Sequence, residues 1–177
     1  MLSNKQRKGA KRHAPFLKLK GDWPWGLILV LAVMAVYSPM WWAGFIWDDV
    51  VNISNNSMLR TWQGLWQMWS ISGTTSTVGQ YYPLTYLSFW LEYHLWESNP
   101  LGYHIDNVLL HIANALLLWL LLRKLGVKGA WLAAALFAVH PVEVDSVAWA
   151  TERKNTLSGL FFLGSLLSAL KFWKLEL

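Results

Sequence analysis

The stretch WPWGLILVLAVMAVYSPMWWAGFIW, Trp23 to Trp47, decides the fold class. It carries no charged side chain over 25 residues. At about 1.5 Å per residue, a helix of that length crosses a hydrocarbon core about 30 Å thick. Trp23 and Trp25 stand at one end and Trp41, Trp42 and Trp47 at the other, where indole rings favour the membrane–water boundary. Ahead of it lie seven basic residues, Lys5, Arg7, Lys8, Lys11, Arg12, Lys18 and Lys20. The apolar run is too long for a cleaved leader, and no small-residue cleavage site follows Ser38-Pro39. It reads as an uncleaved signal anchor.

The composition of all 177 residues agrees: 55% hydrophobic, 14% charged, fourteen tryptophans and no cysteine. Soluble domains carry about 25% charged residues, and a chain this poor in charge lacks the polar surface to cover a water-exposed fold. Disordered chains are polar and short of aromatics. The absence of cysteine excludes a disulfide scaffold and a thiolate metal site.

Three further apolar segments follow. One spans 101–122 and ends at Arg123-Lys124; one of 14 uncharged residues lies between Lys128 and Glu143; one of 16 lies between Lys154 and Lys171. The last two fall short of the usual ~20. They suit either spans whose polar ends border a protein-lined, water-filled cavity or a re-entrant hairpin. The expectation is an all-α membrane protein with about four transmembrane helices and interfacial helices in a long outer loop. Its parts are a basic cytoplasmic tail (1–22), a first transmembrane helix (23–47), an outer loop (48–100) and transmembrane helices two to four with a second outer loop at 140–155 (101–177).

With the N-terminus cytoplasmic, twelve of the fifteen Lys and Arg residues fall inside, leaving Arg60, Arg153 and Lys154 outside. Of the acids, only Asp22 and Glu176 lie inside. The net charge of +5 is therefore a topology signal and a contact for anionic lipid, not the mark of a nucleic-acid partner.

The outer segments carry the chemistry. Asn55-Asn56-Ser57 offers N-caps, and Met58, Trp62, Leu65, Trp66 and Trp69 share one face of a helix, which suits an interfacial helix. Ser70–Gly79 is a Ser/Thr/Gly connector. A second interfacial helix is expected over Tyr81–Trp96, starting at Pro83. Asp48-Asp49 directly follows the first span; two adjacent carboxylates there suit general-base work or, equally, a solvated topology signal. The segment 140–155 packs His140, Glu143, Asp145, Glu152, Arg153 and Lys154 between two short spans. Its cations suit a lipid-linked phosphate, or simple pairing with Glu152. His104, Asn107, His111 and Asn114 form a polar stripe on the second span, as interhelical glue or as cavity lining. No residue spacing marks a metal site, a phosphate loop or a nucleophile elbow.

Four segments together resemble a known family: FIWDDVVNI (Phe45–Ile53), QYYPLTYLSFWLEY (Gln80–Tyr93), NPLGYHIDNVLLH (Asn99–His111) and HPVEVDSVAWATERKN (His140–Asn155). They resemble the N-terminal membrane part of bacterial tetratricopeptide-repeat membrane proteins similar to the animal transmembrane-and-TPR O-mannosyltransferases, within the GT-C class of glycosyltransferases. The resemblance runs from Phe45 to about Leu167. It implies an integral enzyme of the bacterial inner membrane that moves a sugar, mannose by analogy, from a polyprenyl-phosphate donor to a hydroxyl acceptor on a protein or glycan at the outer face. It also implies Asp48 as the base with Asp49 beside it, and Arg153 and Lys154 on the donor phosphate. His140, Glu143, Glu152, His104 and Asn107 would support the site from behind. The lipid-linked sugar is the only cofactor-like molecule implied, although paired acids also suit a divalent metal ion. Family members have more spans and 34-residue repeats; this chain shows neither and so is expected to be the front part of a longer enzyme. The alternative is a non-catalytic membrane anchor or assembly subunit.

Overall fold

A computed structural model describes residues 19–70 and 81–173, with side chains from Gly21 onward. The basic tail up to residue 18, the connector expected at Ser70–Gly79 (apart from Ser70 itself) and the last four residues lie outside the described residues. Every element described is helical. In chain order these are α1 (Leu19–Val36), 3-10 turns at Ser38–Trp42 and Ser57–Arg60 flanking a π-helical turn at Val50–Ser54, α2 (Trp62–Gln67), α3 (Pro83–Trp96), α4 (Pro100–Lys124), α5 (Ala130–Val139), a 3-10 turn at Pro141–Glu143, α6 (Val144–Ala148), a 3-10 turn at Ala150–Glu152 and α7 (Arg153–Phe172).

The uncharged stretch 23–47 is not one helix. α1 stops at Val36, and Ser38-Pro39 begins a 3-10 turn, because proline disfavours the helical conformation of the residue before it. α4 and α7 are long and apolar enough to cross a membrane; α5 and the Pro141–Ala148 pair qualify together, bent by 49° at His140-Pro141, while Gly21–Val36 is a shorter apolar helix. Against the expected four or so spans, two helices, or three with the bent pair, are long and apolar enough among the described residues.

α4 is the central element, packed against α1, α5, α7 and, at its start, α3. Asn99 caps it by accepting from Leu101 N at 3.1 Å, with Pro100 in the first turn. It ends in a Schellman motif: Gly126 takes φ 70°, its amide bonds Arg123 O at 3.0 Å and Val127 N bonds Leu122 O at 3.0 Å. At this end Arg123 pairs with Asp22 of α1 at 2.7 Å, and Trp131 of α5 donates to Trp25 O at 3.0 Å. The first turns of α1 and α5 and the last turn of α4 therefore share one side of the molecule. One apolar core in the helix layer joins Val33, Tyr37, Val108, Ile112, Ala115, Ala138 and Val147. A second lies over the other end and joins Ile53, Leu59, Met68, Tyr86, Phe89, Trp90, Tyr103 and Ala150.

The outer-loop helices form where the caps lie. Asn56 accepts from Met58 N, Thr61 accepts from Gly64 N, and Pro83 opens α3. Trp62, Trp66 and Trp69 stay exposed, whereas Leu59 and Met68 turn into the core, so the tryptophan face is an outer surface.

The polar stripe on α4 is wholly buried, and Asn107, His111 and Asn114 act as glue. His111 Nε2 donates to Ala138 O at 3.0 Å, Asn114 Nδ2 to Thr156 O at 2.8 Å, and Asn107 Nδ2 to the carbonyls of Val147 and Trp149 at 3.2 and 3.1 Å. The Ala138, Val147 and Trp149 carbonyls lie at the ends of broken helices, where intrahelical partners are missing, and in an apolar layer those groups must be satisfied by the protein; Thr156 lies instead in the first turn of α7. Gly159 of α7 faces Asn114 so closely that an added Cβ would meet its Nδ2 at 3.0 Å. Replacing Asn114→Leu is therefore expected to destabilise the helix layer by about 1 kcal/mol, the scale of an interhelical hydrogen bond in a membrane, read as a lower thermal midpoint in detergent.

Candidate active site

Asp48-Asp49 docks on the turn that precedes α7. Thr151 N donates to Asp49 Oδ1 at 2.8 Å and Thr151 Oγ1 donates to Asp48 Oδ1 at 3.0 Å. The chain reverses at Trp47, whose φ of 47° is unusual for a bulky residue. Its ring meets Trp149 edge to face at 4.5 Å between centroids. The two acids then part company. Asp49 is fully buried and also accepts from Ile46 N at 3.1 Å. Burial pushes its carboxyl above the usual carboxylate range, the two backbone amides pull it back, and the charge of Asp48 adds a smaller push upward. Asp48 is only half-buried; its Oδ2 accepts from Asn52 Nδ2 at 3.0 Å, and Asn52 Oδ1 in turn accepts from Tyr86 OH at 2.8 Å. Asp48 is thus the carboxylate that keeps an open face, and Asp49 pins the loop.

The two cations of the second outer segment are separated as sharply. Lys154 Nζ, half-buried, pairs with Glu152 at 2.6 Å and lies 5.4 Å from the centre of the Tyr82 ring. It stands at the head of a cavity of about 410 Å³ lined by Tyr81, Tyr82, Leu84, Lys154, Leu157 and Phe161 among others. Leu84 and Phe161 are exposed, so the cavity has an apolar outer flank below a single cation. Arg153 has no exposed surface at all. Its Nε donates to Asn107 Oδ1 at 2.7 Å, Nη2 to Tyr103 O at 2.9 Å, and Nη1 pairs with Glu92. The guanidinium also lies over the Phe89 ring at 4.9 Å. With these donors committed inside the protein, Arg153 presents no group to an incoming phosphate, contrary to the expectation that both cations would. Burial pushes the Glu92 carboxyl up to about 8, with Arg153 pulling against it.

The remaining expected residues divide as well. Glu152 bridges Lys154 and Asn155, at 2.6 and 2.8 Å. His140 is exposed and caps the following 3-10 turn, its Nδ1 accepting from Val142 N at 3.2 Å. Glu143 lies half-buried in that turn. His104 and Asn107 are sealed in the interior of α4, and Asn107 supports the site only through Arg153 and the carbonyls of the broken helix. Among the described residues no three His, Asp or Glu side chains converge to hold a metal ion. Sequence reading passed over Asn52, Tyr86, Glu92 and Thr151. Only Glu92 carried a signal, as the one acid in the apolar run 81–96; the other three are polar residues of ordinary kinds whose roles appear only through contacts 34 and 103 residues apart in sequence.

Comparison with known proteins finds similar sequences among proteins named as transferases. The chain is similar to a protein O-mannosyl-transferase of Caenorhabditis elegans, 33% identical over 157 residues that make up 82% of this chain and 23% of the relative. It is similar to the protein O-mannosyl-transferase TMTC3 of Mus musculus, 33% identical over 151 residues, 81% of this chain and 16% of the relative. The protein O-mannosyl-transferase tmtc2 of Xenopus laevis is 36% identical over 154 residues, 82% of this chain and 18% of the relative. The chain thus spans less than a quarter of the length of these relatives. No family profile and no solved structure matches it.

The burial of Arg153 makes a thermodynamic prediction. Arg153→Met leaves Glu92 without its partner and is expected to destabilise the fold by about 3–5 kcal/mol, the usual cost of breaking a buried ion pair from one side. Adding Glu92→Leu should recover part of that loss, because a well-packed apolar pair can replace a buried ionic one. Thermal unfolding of both variants in detergent checks the order.

Proposed function

We propose that this chain forms the catalytic front of an integral-membrane O-mannosyltransferase that moves a sugar, mannose by analogy with its relatives, from a polyprenyl-phosphate donor to a protein hydroxyl. One observation supports this reading above the others: Thr151 binds both carboxylates of Asp48-Asp49 and lies three residues before Lys154. A half-exposed base and a half-exposed cation are thereby tied to one turn, and the cation lines a cavity with an apolar flank.

Asp48 accepts the proton of the acceptor hydroxyl as that oxygen attacks the anomeric carbon. The new carbon–oxygen bond forms as the bond from the anomeric carbon to the phosphate oxygen breaks, and polyprenyl phosphate leaves with the electron pair. Direct displacement inverts the anomeric centre. Lys154 stabilises the negative charge that develops on the leaving phosphate, while Tyr82 and Glu152 hold the ammonium in place. The first isoprene units lie along Leu84, Leu157 and Phe161. Asp49 contributes by fixing the loop.

The charge distribution supports placing the site on the non-cytoplasmic face of a bacterial inner membrane, with the N-terminus cytoplasmic. The Asp22–Arg123 contact and the basic residues Lys124 and Lys128 lie at the opposite end of the layer from Asp48. The reading includes the class with GT-C architecture and tetratricopeptide repeats.

The test is transfer of mannose from a synthetic polyprenyl-phosphate mannose to a serine- and threonine-containing peptide by the full-length protein in membrane vesicles. Asp48→Asn is expected to lower kcat by about 10²–10⁴-fold, the range of a lost general base. Lys154→Ala is expected to raise the donor KM by about tenfold, the loss of one charge-assisted contact at a half-exposed site. Undiminished transfer by Asp48→Asn would falsify the base assignment.

A further inference from the structure

The hydrogen bonds around Asp48 reach beyond the carboxylate itself. On one side Thr151 donates its hydroxyl to Asp48 Oδ1 at 3.0 Å and its amide to Asp49 Oδ1 at 2.8 Å. On the other side Asn52 Nδ2 donates to Asp48 Oδ2 at 3.0 Å and to the Asp48 carbonyl at 3.0 Å. The Asn52 amide is itself oriented, because its Oδ1 accepts from Tyr86 OH at 2.8 Å. Turning the amide over would set its oxygen against the carboxylate of Asp48, two acceptors facing each other. Thr151, Asn52, Tyr86 and Asp49 are all buried, and Asp48 alone keeps an open face.

We propose that Thr151 and Asn52, the latter held by Tyr86, are positioning residues for sugar transfer: they grip the two oxygens of Asp48 from opposite sides and aim its free lone pairs at the incoming hydroxyl. This rests on the reading of Asp48 as the base. Each carboxylate oxygen has about two lone-pair sites, and in this grip one on each oxygen is taken. Rotating the carboxylate about its Cβ–Cγ bond would break both side-chain bonds together, so the remaining acceptor sites point in a fixed direction. Orientation of this kind bears on the reacting geometry rather than on binding. Thr151 has a further consequence. It immediately precedes Glu152 and lies on the turn that opens α7, the helix that carries Lys154. The base and the phosphate-binding cation are therefore measured off one rigid turn, and the spacing between attacking and leaving groups is set there.

A purely architectural role for Thr151 makes a different forecast. If the residue only pins the loop, its isostere Val should either be harmless or lower stability and binding together. As a positioning residue, Thr151→Val in the full-length protein in membrane vesicles should lower kcat by about tenfold, the rate equivalent of one lost hydrogen bond. The KM values for polyprenyl-phosphate mannose and for the acceptor peptide should stay within about twofold of wild type, since the loss falls on the transition state alone. Thr151→Ser keeps the hydroxyl and should restore most of the rate. Tyr86→Phe removes only the outer link and should cost about threefold in kcat with unchanged KM, a fraction of one hydrogen bond because Asn52 still reaches Asp48. This variant also covers the case in which Thr151→Val folds poorly.

Wild-type kcat in both Thr151→Val and Tyr86→Phe, or a Thr151→Ser variant as slow as Thr151→Val, overturns the proposal. Asp48→Asn separates this failure from that of the underlying reading. If Asp48→Asn transfers normally, the base assignment falls with everything built on it; if Asp48→Asn is silent while Thr151→Val and Tyr86→Phe are unimpaired, the grip alone is wrong.

Discussion

A guanidinium with no exposed surface organises the outer half of this protein. Arg153 begins α7 and reaches Glu92 on α3, Asn107 on α4 and the Tyr103 carbonyl, also on α4. A charge at this depth is costly unless it is paired and its donors are satisfied, so the three helices must meet in the one arrangement that satisfies it. Asn107 extends the constraint, because the amide that accepts from Arg153 donates to the carbonyls of Val147 and Trp149. The turn that receives Asp48-Asp49 is thus tied to the same centre.

Seen from this centre, the broken third span has a physical purpose. A continuous helix through residues 130–152 would satisfy its interior carbonyls and offer no turn at 150–152. The bend at His140-Pro141 and the interruption at Trp149 free several carbonyls, which α4 meets with His111 and Asn107, four residues apart. Non-helical backbone at this depth persists only where protein partners replace the missing bonds. The same interruption turns the Thr151 amide and hydroxyl toward the acids after α1. The irregular backbone and the candidate site are one feature.

Much of this was legible along the chain. The membrane class followed from an uncharged run and a charge deficit, α4 from its length, and α3 from Pro83. The pairing of an acidic motif with the segment 140–155 followed from both facing the same side. The polar stripe was legible as a stripe, because side chains at spacings of three and four share a helical face. Its partners were not, since a periodicity says which residues align and nothing of what lies opposite. The extent of α1 departs from expectation for a local reason: absence of charge alone suggests continuity of helix, although Ser38-Pro39 holds the stop signal.

The two cations show where sequence ends and tertiary structure begins. Arg153 and Lys154 are adjacent and equally charged, and the chain alone treats them alike. Successive residues of a helix point about 100° apart, so when α7 packs against α4 one of the pair is driven inward and the other stays at the surface. Asp48 and Asp49 are divided in the same way, one half-exposed and one sealed. The sequence by itself determined that this is a helical membrane chain and that acids and bases gather in the segments 45–60 and 140–155. Only the tertiary structure decided which member of each pair stays partly exposed and which is sealed inside the protein. That division depends on the rotation and depth of packed helices, quantities set by contacts between residues up to 103 positions apart.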